Sequence, residues 1–284
     1  MKKETKLTRK IERLLKKLNQ REFLHHFGPK KYKLKQHLLA LLVMQICKLS
    51  LRRVEKFLFL VGIETPTYSA LCKSRKRIPL ILWNSLLKET ANFEHFSVAV
   101  DSTGFSRTNP SFHFLKRVDS KNPVKRYAKL SAFLDLPTRK FVAVKVRVKP
   151  RHDMKDVNYL LNKSFPSGNL FADSGYDAES LYERCYENKV QTFIKPKKNV
   201  KKGFYRRKQM KNYSEEIYHK RSLIESGFSA LKRKYGGSVS GRSWRSVNSE
   251  IYLKVIAHNL NLASARFSTV PEIKVNKFIK MSYL

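Results

Sequence analysis

The sequence predicts an α/β fold, a mixed sheet flanked by helices that follows an all-helical N-terminal region. Three observations carry this. Up to about residue 90, apolar residues recur at helical spacing and no strand-like run interrupts them. From Phe96 onward, short β-prone runs alternate with helical segments. The chain has 284 residues and is 42% hydrophobic, enough to bury one large core or two modest ones.

The elements follow in order. Leu7, Ile11, Leu14, Leu15 and Leu18 put a basic amphipathic helix over residues 7–19. A richer apolar helix covers 34–48. Ser50 is placed to cap a third helix over 51–60, which Gly62 ends. Thr65-Pro66 reads as the start of a fourth, with Leu71 inward, Lys73, Arg75, Lys76 and Arg77 at its far end, and Pro79 as its stop. Two short helices joined by a tight turn, the second strongly basic, read as a helix-turn-helix; a helical bundle whose charges face water is the alternative.

Beyond residue 95, 96–101 is a strand ending in an acid, and 129–135 and 140–149 are two more, joined by Leu136-Pro137-Thr138-Arg139. Helix 153–161, strand 169–173, helix 177–188 and strand 191–195 follow, then a basic loop over 197–211 and a long helix through Glu225. A meander of three strands with this continuation has the ribonuclease-H-like order. A final amphipathic helix covers 246–264, and no internal repeat is visible. The expected division is 1–92 as a helical, helix-turn-helix-like region, 93–240 as a ribonuclease-H-like domain, and 241–284 as a helical extension packed on it.

Charge narrows the partners. There are 60 Lys+Arg against 22 Asp+Glu, a formal +38. An excess of that size calls for a polyanion, most simply DNA or RNA. A thermophile's charged surface would bring acids along with the lysines, and here they are few. The three cysteines are scattered with no CxxC pair, which supports neither a zinc ribbon nor a disulfide framework and fits a reducing, cytoplasmic setting. The longest apolar run, 37–47, is too short for a bilayer, and no apolar signal core follows the N-terminus. The expected partner list contains DNA and no membrane, and the expected location is the cytoplasm, on the nucleoid.

Chemistry concentrates in three acids. Asp101 and Asp173 each end a predicted strand, where mixed sheets present functional groups. Glu225 lies on a helix with Tyr218, Arg221 and Lys232, and at helical pitch these four fall within an arc of roughly 60°. Beside them Ile217, Ile224, Phe228 and Leu231 form an apolar stripe that docks the helix on a core. Three carboxylates without histidine or cysteine make a hard oxygen site suited to Mg²⁺ or Mn²⁺, with room for two ions about 4 Å apart. Each acid also has a local reading. Asp101 caps a turn at Ser102-Thr103-Gly104, Asp173 makes an Asx-turn before Gly175, and Glu225 pairs with Arg221 four residues back. Asp119, Asp135, Asp153, Asp156 and Asp177 are further carboxylates, of which Asp153 and Asp177 look like helix caps. Trp244, between Arg242 and Arg245, either stacks on a distorted base or packs beneath the last helix. The basic loop either tracks a DNA backbone or is solvated.

These residues resemble a known family, the DDE transposases of prokaryotic insertion sequences. The motifs are Asp101-Ser-Thr-Gly, Asp173-Ser-Gly-Tyr-Asp and the signature Tyr-(2)-Arg-(3)-Glu-(6)-Lys, met by Tyr218, Arg221, Glu225 and Lys232. The likeness covers roughly residues 35 to 265. It implies a ribonuclease-H-like fold on which Asp101, Asp173 and Glu225 bind two divalent metals, while Tyr218, Arg221 and Lys232 contact DNA phosphates. It further implies cleavage at element ends, transfer of the 3′-hydroxyl into target DNA, and a homodimer on paired ends. The 52 residues from Asp173 to Glu225 leave no room for the β-rich subdomain that some relatives insert there, so the chain resembles the compact branch. A nuclease or resolvase without strand transfer and a non-catalytic DNA-binding descendant are the rival readings.

Overall fold

In the computed structural model of the chain, residues 6–24, 30–91, 95–108, 111–118, 127–149, 151–197 and 202–265 are described. The local signals of the N-terminal region act largely as expected. Helix α1 (Lys6–Lys17) buries Ile11 and Leu15. Helix α2 (Leu34–Ile46) is buried over most of its circumference. Helix α3 (Leu51–Leu60) begins where the Ser50 hydroxyl accepts from the Arg53 amide at 3.2 Å, and Gly62 takes the left-handed φ of 74° that lets the chain turn away. Helix α4 (Tyr68–Arg77) departs from expectation. Its cap is Thr67, whose hydroxyl accepts from Ala70, and not Thr65, so Pro66 stays outside the helix. Helix α5 (Leu80–Thr90) starts after Pro79 and buries Leu82, Trp83, Leu86 and Leu87.

The sheet is mixed, with β1 (Ser97–Arg107), β2 (Tyr127–Asp135), β3 (Phe141–Arg147), β4 (Asn169–Ala172) and β5 (Gln191–Ile194) in the order β3-β2-β1-β4-β5. The first three strands form an antiparallel meander, and β4 and β5 join β1 in parallel. Helix α6 (Phe112–Val118) lies between β1 and β2, α7 (Met154–Lys163) precedes β4, and α8 (Glu179–Glu187) precedes β5. After β5 come α9 (Phe204–Met210), α10 (Glu215–Tyr218), a 3₁₀ turn His219–Arg221, α11 (Ser222–Tyr235), the two-residue β6 (Ser238–Val239) and α12 (Trp244–Ala265). β6 pairs with the far end of β1, Ser106 opposite Ser238.

Strand alternation sends neighbouring residues of β1 to opposite faces. Ala99 and Phe105 join the larger core with Phe171, the N-terminal helices, α11 and α12. Val98 and Val100 join the smaller one, with residues of α7 and α8. The larger core crosses residues 92/93 and 240/241, so the three expected segments share one interior. Helix α12 is not a one-sided extension. It is buried from Ser246 to Leu260 on all faces and packs on α2, α4, α5, α11 and β3. Among the described residues no single helix is long and apolar enough to cross a membrane.

Candidate active site

Asp101 does not end its strand. β1 runs on to Arg107, and Ser102-Thr103-Gly104 pairs with β2 instead of turning. Gly104 is needed there because the Tyr127 ring crosses it; a Cβ would lie 3.2 Å from Tyr127 Cδ2. Asp173 does follow its strand directly. In the parallel pairing Ala99 stands opposite Phe171, so two residues further on Asp101 faces Asp173 and both side chains point to the α11 face. The two carboxylates are fixed alike. The Ser102 amide donates to Asp101 Oδ1 and the Ser174 amide donates to Asp173 Oδ1, each at 2.7 Å.

Glu225 comes from α11, held down by Ile224, Phe228 and Leu231. Gly227 allows this close approach, since a Cβ there would lie 3.2 and 3.3 Å from the Leu134 methyls. The stripe from Tyr218 to Lys232 is not one α-helix, because the 3₁₀ turn intervenes. In a 3₁₀ turn residues i and i+3 eclipse, and the Tyr218 and Arg221 side chains are in hydrogen-bond contact. Tyr218 is accordingly buried, not exposed on a cleft edge.

Arg221 joins the acids. Its Nη1 donates to Asp101 Oδ2 at 3.2 Å and its Nη2 to Glu225 Oε1 at 2.6 Å. The local reading of Glu225, a pair with Arg221, is therefore present in the fold, whereas Asp173 accepts from the next amide, Ser174, and not from Gly175 as an Asx-turn would. Burial works against the Arg221 charge, yet Tyr218, Asp101, Glu225 and Asp173 outweigh it and hold its pKa above the usual value. Burial pushes the Asp101 carboxyl up; Ser102 and Arg221 pull against this, while Glu225 and Asp173 add to it. Burial also raises the Tyr218 phenol, with Arg221 opposing and Asp173 adding.

The donor set is all carboxylate oxygen, which fits a hard divalent cation. Among the described residues, however, no three His, Cys, Asp or Glu side chains stand close enough to hold a metal as they are. Arg221 supplies the positive charge between Asp101 and Glu225.

Other expected site residues lie apart. Lys232 is two helical turns beyond Glu225, about 10 Å along the axis, with Nζ 5.6 Å from the Phe105 ring centroid and its pKa lowered by burial. Lys73, Lys76 and Arg77 are exposed on α4. Arg75 departs from the expected basic face: it is buried, 3.6 Å from Glu250. Trp244 is 45% exposed at the start of α12 and does not pack beneath it.

On the opposite face of β1 a polar group escaped the sequence reading. Asp153 caps nothing with its side chain; it accepts from Ser102 Oγ at 2.7 Å and pairs with Lys129 at 2.5 Å. Asp156 is buried with Ser131 and Arg147, and Asp177, also not a cap, is buried with Arg206. Asp119 lies outside the described residues. Alternation along β1 was the available signal, since it sends Ser102 to the face away from Asp101.

A family model described as the transposase DDE domain matches residues 97–260, from β1 into α12, and so spans all three acids. No curated protein matches the chain. Among solved structures, the chain is similar to a piggyBac transposase synaptic complex with hairpin DNA, determined by cryo-EM. The TM-score is 0.50 at 11% identity, over 92% of this chain and 72% of that one. At that identity the likeness is one of fold.

Proposed function

The chain belongs to the transposase DDE-domain family, and from that premise we propose that it is a DNA transposase that cuts at the ends of an insertion sequence and joins them to target DNA. The observation that carries this is the placement of Asp101 within β1 and of Asp173 just past the end of the neighbouring parallel strand β4, with Glu225 joined to Asp101 through Arg221. The strand order, a meander extended by two parallel strands, supports a ribonuclease-H-like assignment.

Asp101, Asp173 and Glu225 are the residues that would hold two Mg²⁺ or Mn²⁺ ions. Bound there, the ions would activate the attacking oxygen and stabilise the leaving oxygen of a phosphodiester. Arg221 has two roles in this reading. Before loading it keeps three like charges together. Once the acids turn to a cation its guanidinium is free to bind the reacting phosphate bidentately. Tyr218, in hydrogen-bond contact with Arg221, steers that guanidinium. Lys232, about two turns away, takes a phosphate further along the same strand. The exposed cations of α4 and the start of α12 at Trp244 extend the DNA path, and a homodimer brings two ends together.

The test is a cleavage and joining assay on a duplex carrying the element end. Asp101→Asn should abolish cleavage while DNA binding persists. Wild-type protein given pre-cut ends should join them to target. Cutting without joining would make the protein a nuclease or resolvase, and cleavage surviving in Asp101→Asn would remove the metal assignment.

A further inference from the structure

Away from the acids, a cavity of about 680 Å³ opens where the N-terminal helices meet the C-terminal end of α11 and the flank of α12. Its lining is cationic, with Lys48, Arg52, Arg75 and Lys254 against one acid, Glu250. That acid is already engaged: its oxygens accept from the Ser240 and Gly241 amides at 3.1 Å and from the Ser240 hydroxyl.

Arg75 is the anomaly. Only 8% of it is exposed, its Nε has no hydrogen-bond partner, and its nearest carboxylate oxygen stands 3.6 Å away, beyond hydrogen-bond reach. Among the described residues its charge is balanced by Glu250 alone, in an ion pair too long for a hydrogen bond, and a buried Nε donor left unsatisfied is costly. The same cavity receives the N-terminus of α3. Ser50 caps the Arg53 amide, but the Leu51 and Arg52 amides precede that bond and lie in the first turn, where the helix supplies no partner. That turn contains no acid. The opposing carbonyl end of α11 is neutralised, since Gln45 and Lys254 donate to Tyr235 O and Lys48 donates to Arg233 O.

We infer that this cavity is an oxyanion site that takes a phosphate group. Arg75 and Arg52 would supply the guanidinium donors, and the first turn of α3 the amide donors, as helix N-termini do for anions. The chemistry is shared by a free phosphate and by a phosphodiester of bound DNA. The DNA form rests on the transposase reading; the site itself does not.

Inorganic phosphate and a short duplex without an element end are the probes, with full-length wild type, Arg52→Gln, Arg75→Gln and Asp101→Asn compared. Calorimetry should show saturable phosphate binding to wild type and to Asp101→Asn, weakened about tenfold or more in Arg52→Gln and Arg75→Gln. Arg52 is exposed, so its variant carries the test if Arg75→Gln fails to fold. If the natural occupant is a DNA phosphate, the salt slope of duplex binding also falls by about one in Arg52→Gln. If the slope is unchanged while phosphate binding is lost, the occupant is a free anion. Phosphate binding that is absent from wild type, or equal in Arg52→Gln, overturns the site and leaves the cleavage reading untouched. Saturable phosphate binding beside a wild type that never cuts DNA would remove the transposase reading and leave the site standing.

Discussion

Asp101 and Arg221 meet at 3.2 Å, and through that contact the strand that carries one acid is tied to the helix that carries another. The same guanidinium reaches Glu225 one turn later at 2.6 Å. The protein therefore holds its acids with an internal cation, which in the proposed reading a divalent metal would displace.

Removing that cation should make metal binding easier and catalysis worse. Glu225 is 57% exposed, so the competition is screened and worth only about 1 kcal/mol, or a few-fold in affinity. Arg221→Ala should bind Mn²⁺ a few-fold more tightly than wild type by calorimetry without DNA. Its cleavage rate should fall at least a hundredfold, the scale lost with one transition-state donor. Weaker Mn²⁺ binding in Arg221→Ala would mean that the arginine organises the acids rather than occupying their place.

The raised pKa of Asp101 has a consequence for stability. The folded protein favours its protonated form, because burial and the neighbouring Glu225 and Asp173 penalise the charge. Its contribution is thus fully present below the ordinary aspartate pKa, near 4, and is lost as pH rises through the elevated value. Asp101→Asn keeps the neutral shape at every pH. It should melt higher than wild type at pH 7, by about 2 °C for a cost of about 1 kcal/mol, and the difference should close as pH falls towards 4. A variant that melts lower at pH 7 contradicts this.

The seat of α11 depends on Gly227. The three carbons of a valine side chain there must push against Leu134 and Phe141, and overpacking of this kind costs about 1–3 kcal/mol. Gly227→Val should lose that stability in urea unfolding and shift Glu225 off the strands. Cleavage should then fall further than the stability loss explains, read as a lower rate at temperatures where the variant is fully folded.

Much of this was legible in local chemistry. Ser50 caps α3 and Gly62 lets the chain leave it, as their residue types dictate. Ile224, Phe228 and Leu231 face the core as their spacing requires. What failed depended on tertiary contacts. Ser102-Thr103-Gly104 has turn composition, yet pairing with β2 along its whole length keeps it extended. α9 has no apolar period to betray it, because its inward face is Arg206 and Gln209, bonded to Asp177 and to the edge of β5; residues 198–201 of the same basic stretch lie outside the described residues. α12 looked one-sided because Asn248, Glu250, Lys254 and Asn259 are polar, but each is buried. Asn259, for example, bonds both backbone groups of Phe141. The 3₁₀ turn between Tyr218 and Glu225 leaves no mark in composition at all.

The most direct measurement is a Mn²⁺ titration followed by electron paramagnetic resonance, with the DNA end present. Wild type should take up two ions per chain, and Asp101→Asn, Asp173→Asn and Glu225→Gln should each lose at least one of them while remaining folded and DNA-bound. Equal uptake by Asp173→Asn and wild type would contradict the account, because the aligned pair of aspartates would then have no part in holding the metal.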